Sequence, residues 1–444
     1  MIVLSKHVDE LIEKKITAIK NRKNIYELGR VSNVNDHIIE VEGLDNVGFY
    51  EKVTIEDKAE GYVNAIGQRY VTVAITKKNG DIYTGDAVIA SGEEFCGLYS
   101  PDSIGHVVDM FGEDKLTGKK FDNIVKLAIE TKPIPIMDRS SVCRPLLTGI
   151  TGIDMIYPVG RGQRQLIIGD KKTGKTQITL DTIVNQKGKD VLCIYTAIGK
   201  TKKEVKEVYT ELLKRGAMEY TIIMAAFNDE CPPVLHNTPF VALAVAEKYM
   251  LDHNMDVLVV IDDLKRHADV YREISILTGK VPGRDAYPSD MFYTHARLLE
   301  KGCQHKNGGS ITILPIAETK GGDITDYIST NIISITDGQI VLSSKNFEKG
   351  MRPAIDYTLS VSRLGGAVQT EQIKKIGAKV RMELLSYLET CDVYELANID
   401  EMSPELAAKM MNGREIRNRL NQYKFSPVSL EKMSTLFDGL LDYD

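Results

Sequence analysis

The feature that most narrows what this chain can become is the run Gly169-Asp170-Lys171-Lys172-Thr173-Gly174-Lys175-Thr176. It fills every fixed position of the phosphate-loop pattern G-x-x-x-x-G-K-[ST]. An apolar run, Leu166-Ile167-Ile168, precedes it, and a helix-forming stretch, Gln177–Val184, follows. Strand, loop and helix in that order separate a phosphate cradle from an ordinary Gly/Lys surface turn. Glycines let backbone N–H groups close round phosphate oxygens, and the helix N-terminus adds its partial positive charge. Lys175 is then placed to reach the β- and γ-phosphates, and the Thr176 hydroxyl to ligate Mg²⁺. ATP or ADP with Mg²⁺ is the expected ligand, cradled by Gly169 through Thr176.

The flanking texture agrees. From about Gly92 to Gly366, apolar runs such as Val191-Leu192-Cys193-Ile194-Tyr195, Val257-Leu258-Val259-Val260-Ile261 and Ile311-Thr312-Ile313-Leu314 alternate with longer helix-like stretches. Runs that are apolar throughout mark strands covered on both faces, as in a parallel α/β sheet. Asp262 and Asp263 close one of these runs. An acid there is the usual second support for phosphate-bound magnesium. Asp262 is assigned that role because it directly follows the strand, so Thr176 and Asp262 form the expected metal pair. Without the phosphate loop, both acids would read as strand-end groups facing solvent.

Outside this core the periodicity changes twice. Residues 5–22 carry Val8, Leu11, Ile12, Ile16 and Ile19 at spacings of three and four, an amphipathic helix. Short β-branched runs follow (Ile38–Val41, Lys52–Ile55, Tyr70–Ile75), punctuated by Asn35-Asp36, Gly43, Gly61 and Asn79-Gly80. Short, regularly spaced strands predict a small closed barrel. After Gly366 the segments Lys374–Leu388, Pro404–Met411, Arg414–Leu420 and Leu430–Leu441 read as helices. The expected fold is therefore multidomain α/β. An N-terminal helix (1–23) leads into a β-barrel (24–91), a phosphate-loop α/β domain (92–366) and a shortened all-helical domain (367–444).

Composition excludes several classes. With 43% hydrophobic and 27% charged residues, 444 residues can bury large cores. A net charge of −6 argues against a chain devoted to coating nucleic acid or an anionic membrane. The six cysteines (Cys96, Cys143, Cys193, Cys231, Cys303, Cys391) show no CxxC spacing and read as reduced packing residues. The N-terminus is too soon charged for a signal peptide, and no apolar window is long enough to span a bilayer. The expectation is a soluble, intracellular protein.

Four segments carry a resemblance: Arg144–Gln177, Pro282–Glu300, Gly308–Leu342 and Lys349–Gln369. They resemble the alpha subunit of rotary F-type ATP synthases, and the likeness runs from roughly Leu11 to Leu441. It implies a barrel crown, a RecA-like phosphate-loop core and a helical C-terminal domain. It also implies an alternating ring of three alpha and three beta subunits around a gamma-like shaft, with a peripheral stalk and a proton- or sodium-driven membrane sector. On that resemblance the location is cytoplasmic and peripheral to the membrane, with neither nucleic acid nor direct membrane insertion. The family's catalytic subunit has a Glu, in a Gly-Glu-Arg context, after the strand that follows the phosphate-loop helix. Here the stretch is Ala197-Ile198-Gly199-Lys200-Thr201, where alpha subunits usually have Gln at the Lys200 position. An ammonium cannot accept a proton. Glu204 lies four residues on, but beside Lys202 and Lys203 it reads as part of a solvated helix face.

The resemblance therefore implies a subunit that binds nucleotide without turning it over. It gives Arg363, in Ser360-Val361-Ser362-Arg363, as an arginine finger reaching the neighbouring subunit's γ-phosphate, with Ser360 shaping that interface. A planar guanidinium supplied in trans neutralises charge spread over the transferring phosphoryl group. Arg352 and Pro353 match residues that wall the adenine. Where the family has a Gln near the adenine, Cys391-Asp392-Val393-Tyr394-Glu395-Leu396 gives Glu395. The connection Lys301–Asn307 is shorter than usual, and the chain stops at Asp444, ahead of the family's usual end. With Lys200, these departures point to a divergent, lineage-specific paralogue. Other readings are an alpha-like subunit of a repurposed rotary motor and a self-sufficient homohexameric ATPase, as in protein export or RNA unwinding. The second needs a catalytic carboxylate that Gly199-Lys200 lacks. An RNA motor also needs clustered basic and aromatic residues, and the barrel segment is poor in clustered aromatics.

Overall fold

The computed structural model describes residues 27–393 and 404–440. The expected N-terminal helix and Glu395 lie outside the described residues. Two compact units are present, one ending at Cys96 and the other built from most of the rest.

The first unit is a closed six-stranded barrel in the order Glu27–Asn35, Ile38–Glu42, Val71–Lys78, Ala59–Ile66, Glu51–Ile55, Ala87–Glu94 and back to the first. All its pairings are antiparallel. Inward residues such as Val31, Ile39, Val53, Val63, Val73 and Val88 form its core. β-branched side chains suit the pleated inner face. The last strand runs past the boundary expected at residue 91.

The main sheet of the second unit runs, edge to edge, Val361–Ser362, Gly338–Leu342, Leu166–Gly169, Ser310–Glu318, Asp256–Asp262, Val191–Lys200, Thr221–Phe227, Val107–Val108. Pairing is parallel from Gly338–Leu342 to Val107–Val108, and antiparallel at the Val361–Ser362 edge. Its central strands are buried along almost their whole length, which is why they read as continuous apolar runs. Parallel strands present their carboxyl ends on one side. Register sets Gly169 beside Glu318 and Leu342, and Ala197 beside Asp262, so the loops carrying the site emerge together. Thr221–Phe227 and Gly338–Leu342 complete the sheet without having been singled out in the sequence.

The C-terminal helices share the core of this unit. Helix Glu371–Val393 buries Ile373, Ile376, Val380, Leu384 and Tyr387, spaced three or four apart, in the same cluster as Ile153 and Tyr157. At about 1.5–3 kcal/mol per fully buried side chain, that stripe outweighs the marginal propensity of an isolated helix. The segments expected as two helices, Pro404–Met411 and Arg414–Leu420, form one helix, Pro404–Leu420. Asn412-Gly413 had the look of a break. Instead Gly413 lets the helix cross Glu371–Val393 closely, since a Cβ there would sit 2.3 Å from the Tyr387 Cβ.

Three buried histidines come from three helices, Pro232–His253, Leu264–Leu277 and Met291–Leu299. His267 Nε2 lies 3.1 Å from the His236 carbonyl oxygen and His267 Nδ1 lies 3.3 Å from His295 Nε2. The rings of His236 and His267 stack at 4.9 Å, and His236 stacks in turn on Tyr271. Cys193 and Cys303 are buried, whereas Cys143 is exposed and is not a packing residue.

Candidate functional site: the phosphate-loop cleft

The phosphate loop joins strand Leu166–Gly169 to helix Lys175–Val184 as its sequence requires. Gly174 adopts φ 101°, a conformation that a residue with a Cβ avoids. Lys175, 8% exposed, folds back so that its ammonium donates to the carbonyls of Gly169 at 2.8 Å and Asp170 at 2.5 Å. Burial pulls its pKa down, against the opposing charges of Glu318, Asp263 and Asp262. The Asp170 carboxylate accepts from the Thr319 hydroxyl (2.7 Å), the Gly322 N–H (2.8 Å) and the Ser344 hydroxyl (2.9 Å). It thereby ties the loop to the segments that follow two neighbouring strands. Burial pushes this carboxyl's pKa up, but the donated hydrogen bonds outweigh it and hold the group below its usual value. Lys171 extends into solvent, 3.8 Å from Glu318, and Lys172, at φ 63°, turns the loop.

Asp262 comes to the loop and Asp263 does not. Asp262 Oδ2 accepts from the Thr176 hydroxyl at 3.0 Å and from the Tyr195 hydroxyl at 2.6 Å. Its other oxygen, Oδ1, faces the Lys200 ammonium at 2.7 Å. Burial opposes the Lys200 charge, yet Asp262 and Asp263 overcome that and hold its pKa above the usual lysine value. Asp263 accepts from the Arg266 N–H at 2.6 Å, at the start of helix Leu264–Leu277. Burial and the charge of Asp262 push the Asp263 pKa up to about 6. Thr176 and Asp262 are oxygen donors of the kind Mg²⁺ takes. As a metal support the pair fits poorly, because the carboxylate is already paired with Lys200 and both its oxygens have partners. Glu204 is not poised as a base: it accepts from the Thr201 N–H (2.8 Å) and hydroxyl (2.7 Å) in a reciprocal cap of helix Lys202–Lys214.

Beyond the loop lies a cavity of about 380 Å³, lined by Thr173, Gly174, Gln177, Arg352, Pro353 and Gln422 among others. Arg352 and Pro353 stand in its wall. The Arg352 guanidinium lies 3.6 Å from the Phe347 ring centroid and donates to the Phe347 carbonyl at 2.7 Å. Gln422, Tyr423 and Lys424 complete the wall and were not found by sequence reasoning. The Gln422 amide donates to the Gly149 carbonyl at 2.7 Å and its oxygen accepts from the Thr151 N–H at 3.1 Å, which orients the side chain. The Phe425 N–H bonds the Asp181 carboxylate at 2.8 Å, fastening this segment to the phosphate-loop helix. The faint signal available was Gln177 and Asp181, one and two turns along the face that starts at Gly174.

Ser360 and Arg363 lie at the sheet edge next to Gly338–Leu342. Ser360 is 1% exposed; its hydroxyl donates to the Asp356 carbonyl (2.6 Å) and accepts from the Val341 N–H (3.0 Å). It positions the segment and offers nothing outward. The Arg363 N–H bonds the Asp337 carbonyl at 2.9 Å, and Asp337 is itself gripped by Arg164 at 2.7 Å. The Arg363 side chain is exposed, with one long contact of 3.5 Å to the Ile333 carbonyl.

Residues 149–362 match the family model of the ATP synthase alpha/beta family, nucleotide-binding domain. The chain is 41% identical over 445 residues to ATP synthase subunit alpha of Lactobacillus delbrueckii subsp. bulgaricus, covering 99% of this chain and 88% of that one. It is 39% identical to the subunit alpha of Limosilactobacillus reuteri, with 98% and 86% covered. It is 37% identical to the sodium-ion-specific subunit alpha of Acetobacterium woodii, with 96% and 84% covered. Among the described residues, no helix is long and apolar enough to cross a membrane.

Proposed function

The chain belongs to the ATP synthase alpha-subunit family, and from that premise we propose that it is the non-catalytic, nucleotide-binding member of an alternating ring with beta subunits. In this reading it holds ATP or ADP at its own phosphate loop, surrounds a gamma-like shaft and is carried peripherally at the membrane by the rest of the complex. It gives catalysis Arg363, supplied across the interface, with Ser360 as a positioning residue. Ring hydrolysis and synthesis are then coupled to ion translocation by the membrane sector.

The observation that carries the reading is Lys200. An ammonium paired with Asp262 at 2.7 Å stands at the end of strand Val191–Lys200, where turnover requires a carboxylate to activate water. The nearest acid along the chain, Glu204, is committed to a helix cap. The purified chain alone should bind ATP and hydrolyse it far more slowly than about 1 s⁻¹, the low end of ordinary enzyme rates. Steady turnover at or above that rate, without any beta subunit, would overturn the non-catalytic assignment.

A further inference from the structure

We propose that Lys200 makes this phosphate site take its nucleotide free of Mg²⁺, the polyphosphate being met by two ammonium groups, Lys175 and Lys200. The inference rests on the reading of the cleft as a nucleotide site and names the ionic form of the ligand. Mg²⁺ binds through hard oxygens and gives up its water reluctantly, so it needs an anionic partner to hold it beside a phosphate. Asp262 is the strand-end acid beside the Thr176 hydroxyl, and it is already neutralised: Lys200 sits 2.7 Å from one oxygen, and the Tyr195 and Thr176 hydroxyls donate to the other. A divalent ion entering there meets a resident cation.

The neighbouring acids do not replace Asp262. Asp263 accepts the Arg266 N–H at 2.6 Å and faces its own helix. Glu318 lies 3.8 Å from Lys171. Lys200 itself is not sealed away, because its side chain keeps 24% of its exposure. It lines a cavity of about 260 Å³ with Thr176, Tyr195, Glu204 and Asp262. A polyphosphate on the loop therefore approaches a second fixed cation where a metal would otherwise supply the charge. Losing that cation should make the metal necessary again.

The test is calorimetric titration of the full-length chain with ATP, once in EDTA and once in excess Mg²⁺. For the wild type the two dissociation constants should agree within about threefold, and in Lys200→Gln the EDTA value should weaken by about tenfold or more, the scale of one nearby unit charge at a partly screened site. Lys200→Arg keeps the charge and should keep metal-free binding. Wild-type binding at least about tenfold weaker in EDTA, where screened charge pairs already matter, overturns the proposal. So does a Lys200→Gln protein that matches the wild type in both buffers. Should that variant fail to fold, the wild-type comparison still decides. Absence of binding in both buffers would overturn the nucleotide-site reading together with this one, whereas binding only with Mg²⁺ overturns this one alone.

Discussion

The phosphate loop and the sheet edge that ends at Arg363 are built on opposite plans. At the loop three charged groups are answered from within the chain: Lys175 by two carbonyls, Asp170 by three donors, Asp262 by Lys200, Tyr195 and Thr176. At the edge the backbone is fixed as firmly, through Ser360, Asp337 and Arg164. There the Arg363 guanidinium projects outward with one contact of 3.5 Å. Leu359 and Val361 beside it are also exposed. A side chain held rigidly at its root and left open at its tip suits a partner on another chain. One whose charges are already answered at home suits a ligand that displaces those contacts.

That contrast breaks most easily at the edge. Arg363→Ala should leave ATP binding to the isolated chain unchanged. It should lower hydrolysis by a reconstituted ring with beta subunits by on the order of 10³-fold or more, the scale of an arginine finger. Turnover of wild-type and mutant rings measures it. A loss below about tenfold, far short of that scale, or one matched by lost nucleotide binding at this chain's own loop, would erase the distinction. Lys175→Ala probes the other side. Removing the loop's buried cation should weaken ATP binding to the isolated chain by about 3 kcal/mol, roughly 10²-fold. Calorimetry giving equal affinities for mutant and wild type would remove the loop from the site.

The same contrast decides what could be read from sequence. The loop was legible because eight consecutive residues carry its chemistry and local geometry alone places them. Asp262 was legible as a strand end. The far wall was not: Gln422, Tyr423 and Lys424 lie about seventy positions beyond Arg352, and only the packing of the C-terminal helices brings them to Gly174. Nothing in an ordinary Gln-Tyr-Lys triplet announces that. The ion pair of Lys200 with Asp262 escaped for a similar reason. Parallel register, which sets Ala197 beside Asp262, is a property of two strands and not of either sequence. Pro404–Met411 and Arg414–Leu420 read as separate helices because a glycine inside a helix looks the same in sequence whether it ends the helix or admits a neighbour.

The histidine stack ties the stability of this unit to the proton concentration. With His267 neutral, its Nε2–H donates to the His236 carbonyl and its Nδ1 accepts from His295 Nε2–H. Burial pulls the His267 pKa down to about 4 and those of His236 and His295 well below their ordinary value, with Arg297 and Lys280 adding repulsion at His236. The unfolded chain takes up protons from about pH 6.5 downward, while the folded chain refuses them. The stabilisation is therefore complete above about pH 6.5 and is lost as pH falls toward 4, at up to about 1.4 kcal/mol per pH unit for each ring. Melting temperature should drop between pH 7 and pH 5. His267→Gln, whose amide can donate and accept in the same places, should flatten that slope; an equal slope in the mutant would place the acid sensitivity elsewhere. This unit thus carries, in its own core, a stability that acid withdraws.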